Sequence, residues 1–103
     1  MAYEDYGAYP GQESEADFYN ETGTLSGLTV LTFTGASGQG RAAGRVYIQI
    51  IGGGGAHMTF YGTATTSHYL IPAGGVFVYQ GRPVRGVSLL PASGTPTYSV
   101  HAN

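Results

Sequence analysis

Three histidines and two glycine-rich runs are the residues whose type and spacing raise the question of chemistry. His57, His68 and His101 could in principle hold a metal with imidazole alone. Their separations contain no i, i+2 or i, i+4 pair, and no carboxylate stands near them in sequence to orient a ring. The same lack removes the third member of a Ser–His–Asp relay. All six carboxylates, Glu4, Asp5, Glu13, Glu15, Asp17 and Glu21, fall in the first 21 positions, so a Ser–His pair in the rest of the chain has no acidic neighbour to fix its tautomer. Paired carboxylates for glycoside hydrolysis would have to come from that opening stretch, a poor rigid platform. GGGG at 52–55 offers bare backbone N–H groups to a phosphate, yet the lysine a P-loop requires does not occur anywhere in the chain. It reads instead as a loose hairpin or a close backbone contact. GQGRAA at 38–43 has the G-x-G-x-x-A spacing of dinucleotide sites, without the following helical pattern or the acidic residue about 20 positions on. With no cysteine there is no disulfide, thiol nucleophile or thiolate metal site. The inventory points away from an enzyme and implies no cofactor and no metal.

The elements that must position any site are strands. Eighteen glycines, five prolines and many threonines make a poor helix former and a rich supply of turns. Short alternating runs recur: TLSGLTVLTFT, RVYIQII, HMTFYGTAT, SHYLI, VFVYQ, VRGVSLL and TPTYSVHA, divided by GASGQG, GGGGA, PAGG, GRP and PASG. Such spacing predicts an all-β fold, a single antiparallel β-sandwich or jelly-roll-like barrel of about seven or eight short strands. Period-two alternation places Val46, Ile48 and Ile50 in the core, with Val87 and Leu89; for the strand at 76–79 it allows either Val76 and Val78 or Phe77 and Tyr79. No apolar run approaches the ~20 residues of a membrane helix, and the acidic start is the opposite of a Sec signal, so neither a membrane nor a secretory route is expected.

Charge divides the chain further. An arm of about −6 precedes a body of about +4, because Arg41, Arg45, Arg82 and Arg85 all lie beyond the carboxylates. Residues 1–23 show no sustained period, although SEAD at 14–17 has capping-box spacing; they are expected to form an extended arm ahead of a sandwich at 24–103. Tyr3, Tyr6 and Tyr9 recur every third residue, which on an extended polyproline-like chain places the rings on one side. Tyr3, Tyr6, Tyr9, Phe18 and Tyr19, with Glu13, Glu15 and Asp17, are the candidate interface of the arm, and Arg41, Arg45, Arg82 and Arg85 the candidate surface that accepts it. An arm of ~20 residues reaches ~65 Å, enough to grip a neighbouring copy. Four arginines without lysine fall short of a nucleic-acid patch. The sequon Asn20-Glu21-Thr22 carries no weight without a secretory signal.

Over about residues 60–101, FYGTATTSHYLIPAGGVFVYQGRPVRGVSLLPASGTPTYSV resembles the closing segment of small β-sandwich structural proteins of tailed-phage virions. The shared grammar is a polar strand, IPAGG before an aromatic strand, G-x-P-V-x-G-V-S-L, an ASGT turn and a final T-Y-S-V strand. The resemblance implies a non-enzymatic virion component, such as a capsid decoration protein or a spike or fibre subunit. It would associate with itself as a homo-oligomer and with a major capsid or other virion protein, and it would reside on the virion. The low charged fraction of 10% fits a surface largely covered by neighbours. Two alternatives stand beside it. One is a carbohydrate- or receptor-binding module using Tyr47, Tyr61, Tyr69 or Tyr79 as stacking rings. The other is a cell-encoded self-assembling surface fibre, whose sparsely charged strand edges would pair.

Overall fold

A computed structural model describes residues 17–103 and contains eight strands. They are β1 (Tyr19–Thr24), β2 (Thr29–Thr32), β3 (Ala43–Ile51), β4 (Ala56–Thr59), β5 (Tyr69–Ile71), β6 (Val76–Val84), β7 (Gly86–Pro91) and β8 (Thr97–Ala102). Two four-stranded antiparallel sheets hold them, in the orders β1-β8-β3-β6 and β2-β7-β4-β5. The pairs β4·β5, β3·β6, β2·β7 and β1·β8 are nested, like one long hairpin rolled on itself and sealed by β3·β8 and β4·β7. That connectivity is the jelly roll, and it resolves the choice between sandwich topologies that strand number leaves open.

Alternation assigns the inner faces. Val46, Ile48 and Ile50 of β3, Val100 and Ala102 of β8 and Leu89 of β7 are fully buried, and Val87 is nearly so. In β6 the direct partners of Ile48 and Val46 are Phe77 and Tyr79, so these two rings point inward while Val76 and Val78 point out. Aromatic rings then close the open flanks of the sandwich. Phe60 stacks near Tyr79 and Phe77 at centroid distances of 4.7 and 6.1 Å, and Tyr69 lies 5.3 Å from Phe77. On the opposite flank Tyr19 meets Phe33 at 5.1 Å. Tilted ring pairs of this kind add to the area they bury.

The strands depart from the sequence pattern in several places: the run HMTFYGTAT is a strand only to Thr59, after which 60–68 is a loop. Residues 19–23, expected in the arm, belong to β1, whose pairing with β8 runs from Tyr19 opposite Ala102 to Thr24 opposite Thr97. YNETGT has too few apolar residues to announce a strand; the backbone ladder with β8 supplies what alternation does not. GRP at 81–83 does not separate two strands, because β6 continues through it to Val84. Pro83 is tolerated there since β6 is a sheet edge, and the register slips between the Arg45·Gln80 and Ala43·Val84 pairs, so the extra residues bulge.

The GGGG run is a crowded turn between β3 and β4. Gly54 N–H donates to Ser93 O and Ala92 N–H to Gly55 O, which clamps the run against the β7–β8 turn. Gly55 has φ +87°, and a Cβ built on it would stand 2.2 Å from Ile71 O and 3.0 Å from Ala73 N. Gly62 shares the left-handed backbone at φ +80° with open space around it. Gly62→Ala therefore reports backbone strain alone, about 1–2 kcal/mol, whereas Gly55→Ala adds a clash with rigid backbone and is expected to cost about 3 kcal/mol or more. Chemical denaturation of the two variants checks this; equal losses would show that the turn yields freely.

Candidate functional site

Strand register gathers the four arginines at one end of the sandwich. Phe33 donates its N–H to Arg85 O and accepts from Arg41 N–H, so Arg41 and Arg85 flank it. Arg45 and Arg82 lie in or beside the bulge between β3 and β6, bounded by the Ala43·Val84 pair. All four arginines are exposed. Residues 17 and 18 lie at this same end, where the chain enters β1 alongside the end of β8. Phe18 N–H donates to Ala102 O at 3.0 Å, and the Arg41 guanidinium lies over the Phe18 ring, 4.3 Å from its centroid. A cation held over a ring face is attracted by its quadrupole.

Three residues of the candidate arm interface contact the body of their own chain. Phe18 is half-buried beneath Arg41, Tyr19 is buried against Phe33, and Asp17 faces His101. Tyr3, Tyr6, Tyr9, Glu13 and Glu15 lie outside the described residues.

His101 corrects the expectation that no carboxylate stands near a histidine. Its Nδ1 is 3.3 Å from Asp17 Oδ2 and hydrogen-bonded to Asn20 Oδ1, and its Nε2 is 3.1 Å from Ser99 Oγ. Two oxygen acceptors at Nδ1 place the proton there, so in the neutral ring Nε2 accepts from the Ser99 hydroxyl. The order of contacts, carboxylate to imidazole to hydroxyl, is that of a Ser–His–Asp relay. β8 lies between β1 and β3, so its backbone groups are engaged in two ladders. What the array does here is fasten residues 17–20 to β8. Tyr47 packs edge-on to the His101 ring at 5.8 Å from the neighbouring strand.

The other two histidines lie on the side of the opposite sheet, His57 on β4 and His68 in loop 60–68. His57 Nδ1 donates to His68 O at 3.0 Å, while His68 Nδ1 accepts from Thr65 N–H at 2.9 Å. Among the described residues no three ligand-type side chains converge on a metal position. These contacts, with Ala64 N–H donating to the buried Ser88 hydroxyl at 2.9 Å, hold loop 60–68 against the outside of the β2-β7-β4-β5 sheet. An open recess of about 250 Å³ lies beside that loop, lined by Val30, Thr32, Phe60 and Arg85 among others. The outer face of the β1-β8-β3-β6 sheet carries Tyr47, Ile51, Val76 and Val78 exposed, in rows with Asn20, Thr22, Gln49, Ser99 and His101. Of the four tyrosines considered as stacking rings, Tyr61 (69% exposed) and Tyr69 (58%) are the most open, whereas Tyr79 turns inward and donates its hydroxyl to Arg82 O at 2.7 Å. Comparison with protein-family models, curated proteins and solved structures returns no match.

Beside the arginine-rich end, Tyr19 and Tyr98 share Glu21. The Tyr19 hydroxyl donates to Glu21 Oε1 at 3.0 Å, and Tyr98 lies across Gly23 on the paired strand. Burial, reinforced by the bond to Glu21 and its charge, pushes the Tyr19 hydroxyl far above its ordinary value of 10.0. Tyr98 is raised by burial first and by Glu21 second. Both phenols remain protonated in the folded state at pH values where the unfolded chain has released the proton. The unfolded state then binds fewer protons, so this stabilisation is complete below about pH 10 and is lost as pH rises above it. Spectrophotometric titration is expected to show Tyr19 ionising only with unfolding and Tyr98 ionising above the range of an exposed tyrosine. Tyr19→Phe should flatten the alkaline fall in stability, and an unchanged profile would remove this role.

Proposed function

We propose that the chain is a non-enzymatic structural subunit of the kind that builds or decorates a tailed-phage virion, acting through contacts with its own copies and with a larger virion protein. The observation that carries this reading is the outer face of the β1-β8-β3-β6 sheet, where Tyr47, Ile51, Val76 and Val78 stand exposed in a protein with only 10% charged residues. A contiguous apolar strip within a polar surround is the mark of a protein contact. β6, nine residues long, forms a sheet edge that is unpaired among the described residues and is guarded by Arg82, Pro83 and its bulge. Jelly rolls serve in capsids and in lectins alike, so the fold by itself selects neither, and the virion setting rests on the resemblance at about 60–101.

A carbohydrate- or receptor-binding module is the second reading, supported by the exposed rings of Tyr61 and Tyr69. Light scattering on the full chain separates the two. The structural reading expects a defined oligomer at micromolar concentration, weakened about tenfold or more by Val78→Arg with melting temperature kept within a few degrees. A monomer at every concentration that binds an immobilised glycan, with binding lost in Tyr69→Ala, would overturn it.

A further inference from the structure

The end of the sandwich that carries the arginines is also the end from which the chain leaves toward its N-terminus. We propose that two copies associate through these ends, each laying residues 3–16 on the other's arginines and on the adjoining Tyr47–Val78 strip. This rests on the assembly reading above and specifies its contact.

Four observations carry it. The first is charge. With Asp17 and Glu21 placed on the body, the remaining carboxylates, Glu4, Asp5, Glu13 and Glu15, all precede residue 17 and are opposite in sign to the arginine-rich end. The second is direction. β1 is antiparallel to β8, so the chain before Tyr19 passes Ala102 and runs off the sheet at the end where Arg41, Arg45, Arg82 and Arg85 sit.

The third is chemistry already visible at the exit. Asp17 and Phe18 repeat the acid-then-aromatic composition of the preceding stretch, and they meet a histidine and an arginine respectively. The fourth is apolar exposure beside the arginines: Tyr47 and Val78, direct cross-strand partners next to Arg45 and Gln80, stay exposed on the outer face of the β1-β8-β3-β6 sheet. Fourteen extended residues reach ~45 Å, ample for the crossing. Two ends rich in arginine would repel if brought together bare. An acidic segment laid between them turns that repulsion into attraction, and a two-fold axis makes the exchange reciprocal.

A charge swap in the full chain tests this. One variant, E13K/E15K, reverses the segment; a second, R82E/R85E, reverses the acceptor; a third combines both. Mass is read by light scattering at low salt, with circular dichroism confirming the fold. The expected result is an oligomer for the unsubstituted chain, association weakened about tenfold or more in either two-site variant, and recovery both in their equimolar mixture and in the combined variant. Recovery on mixing is specific to exchange, because each chain then offers the charge that the other lacks. If the combined variant recovers and the mixture does not, the segment folds onto its own body and the proposal fails while the assembly reading stands. An oligomer indifferent to both swaps has the same consequence. A monomer under all conditions overturns the two together.

Discussion

Strand β8 forms two ladders at once, with six residue pairs to β1 and six to β3, and its Tyr98, Val100 and Ala102 fill the core between them. Among the described residues β1 has no other strand partner, so residues 19–24 are held in the sheet by residues 97–102. Tyr19 reaches Phe33 and Phe18 lies under Arg41 only once that ladder has closed. Closing it brings together residues such as Asn20 and His101, 81 positions apart. Loop-closure entropy must be met before such contacts reward it, which makes this nested topology slow to form relative to a fold of local contacts. Backbone bonds also hold the turns, among them the clamp of the glycine run on the β7–β8 turn.

The same closure organises the exposed chemistry. A β-strand presents alternate residues to opposite faces, so the pairing that buries Val100 and Ala102 also presents Ser99 and His101 outward, beside Asn20 on one strand and Tyr47 on the other. Asp17 then completes a row of polar contacts that anchors the entry to β1. Nothing in that row depends on an enclosed cavity. Its chemistry is that of a surface clasp joined to a basic end, and the low overall charge makes each of those arginines a large fraction of the body's electrostatics.

The two sheets are finished differently, and one hydroxyl illustrates how. Ser88 points out from β7, where a serine would ordinarily be solvated, and is buried because Ala64 N–H donates to it from loop 60–68. The loop covers that sheet locally and is held further by the His57 and His68 contacts. Beyond the loop, Val30 and Leu70 stay exposed on that sheet, as Tyr47, Val76 and Val78 do on the opposite one.

Fold class and much of the core were legible in the chain, because turn chemistry and period-two alternation are local properties: Val46, Ile48, Ile50, Val87 and Leu89 are buried where alternation puts them. Alternation was silent at 76–79, where both parities are apolar, and the partners Ile48 and Val46 decided for Phe77 and Tyr79. It was also silent for β1, whose residues become a strand through pairing rather than composition, and Pro83 read as a break because an edge bulge has no local signature. Charge segregation was plain from the sequence. That the arginines share one end, and that Asp17 meets His101, came only from register between distant strands, since register is set by burying both inner faces together and no single segment carries that information.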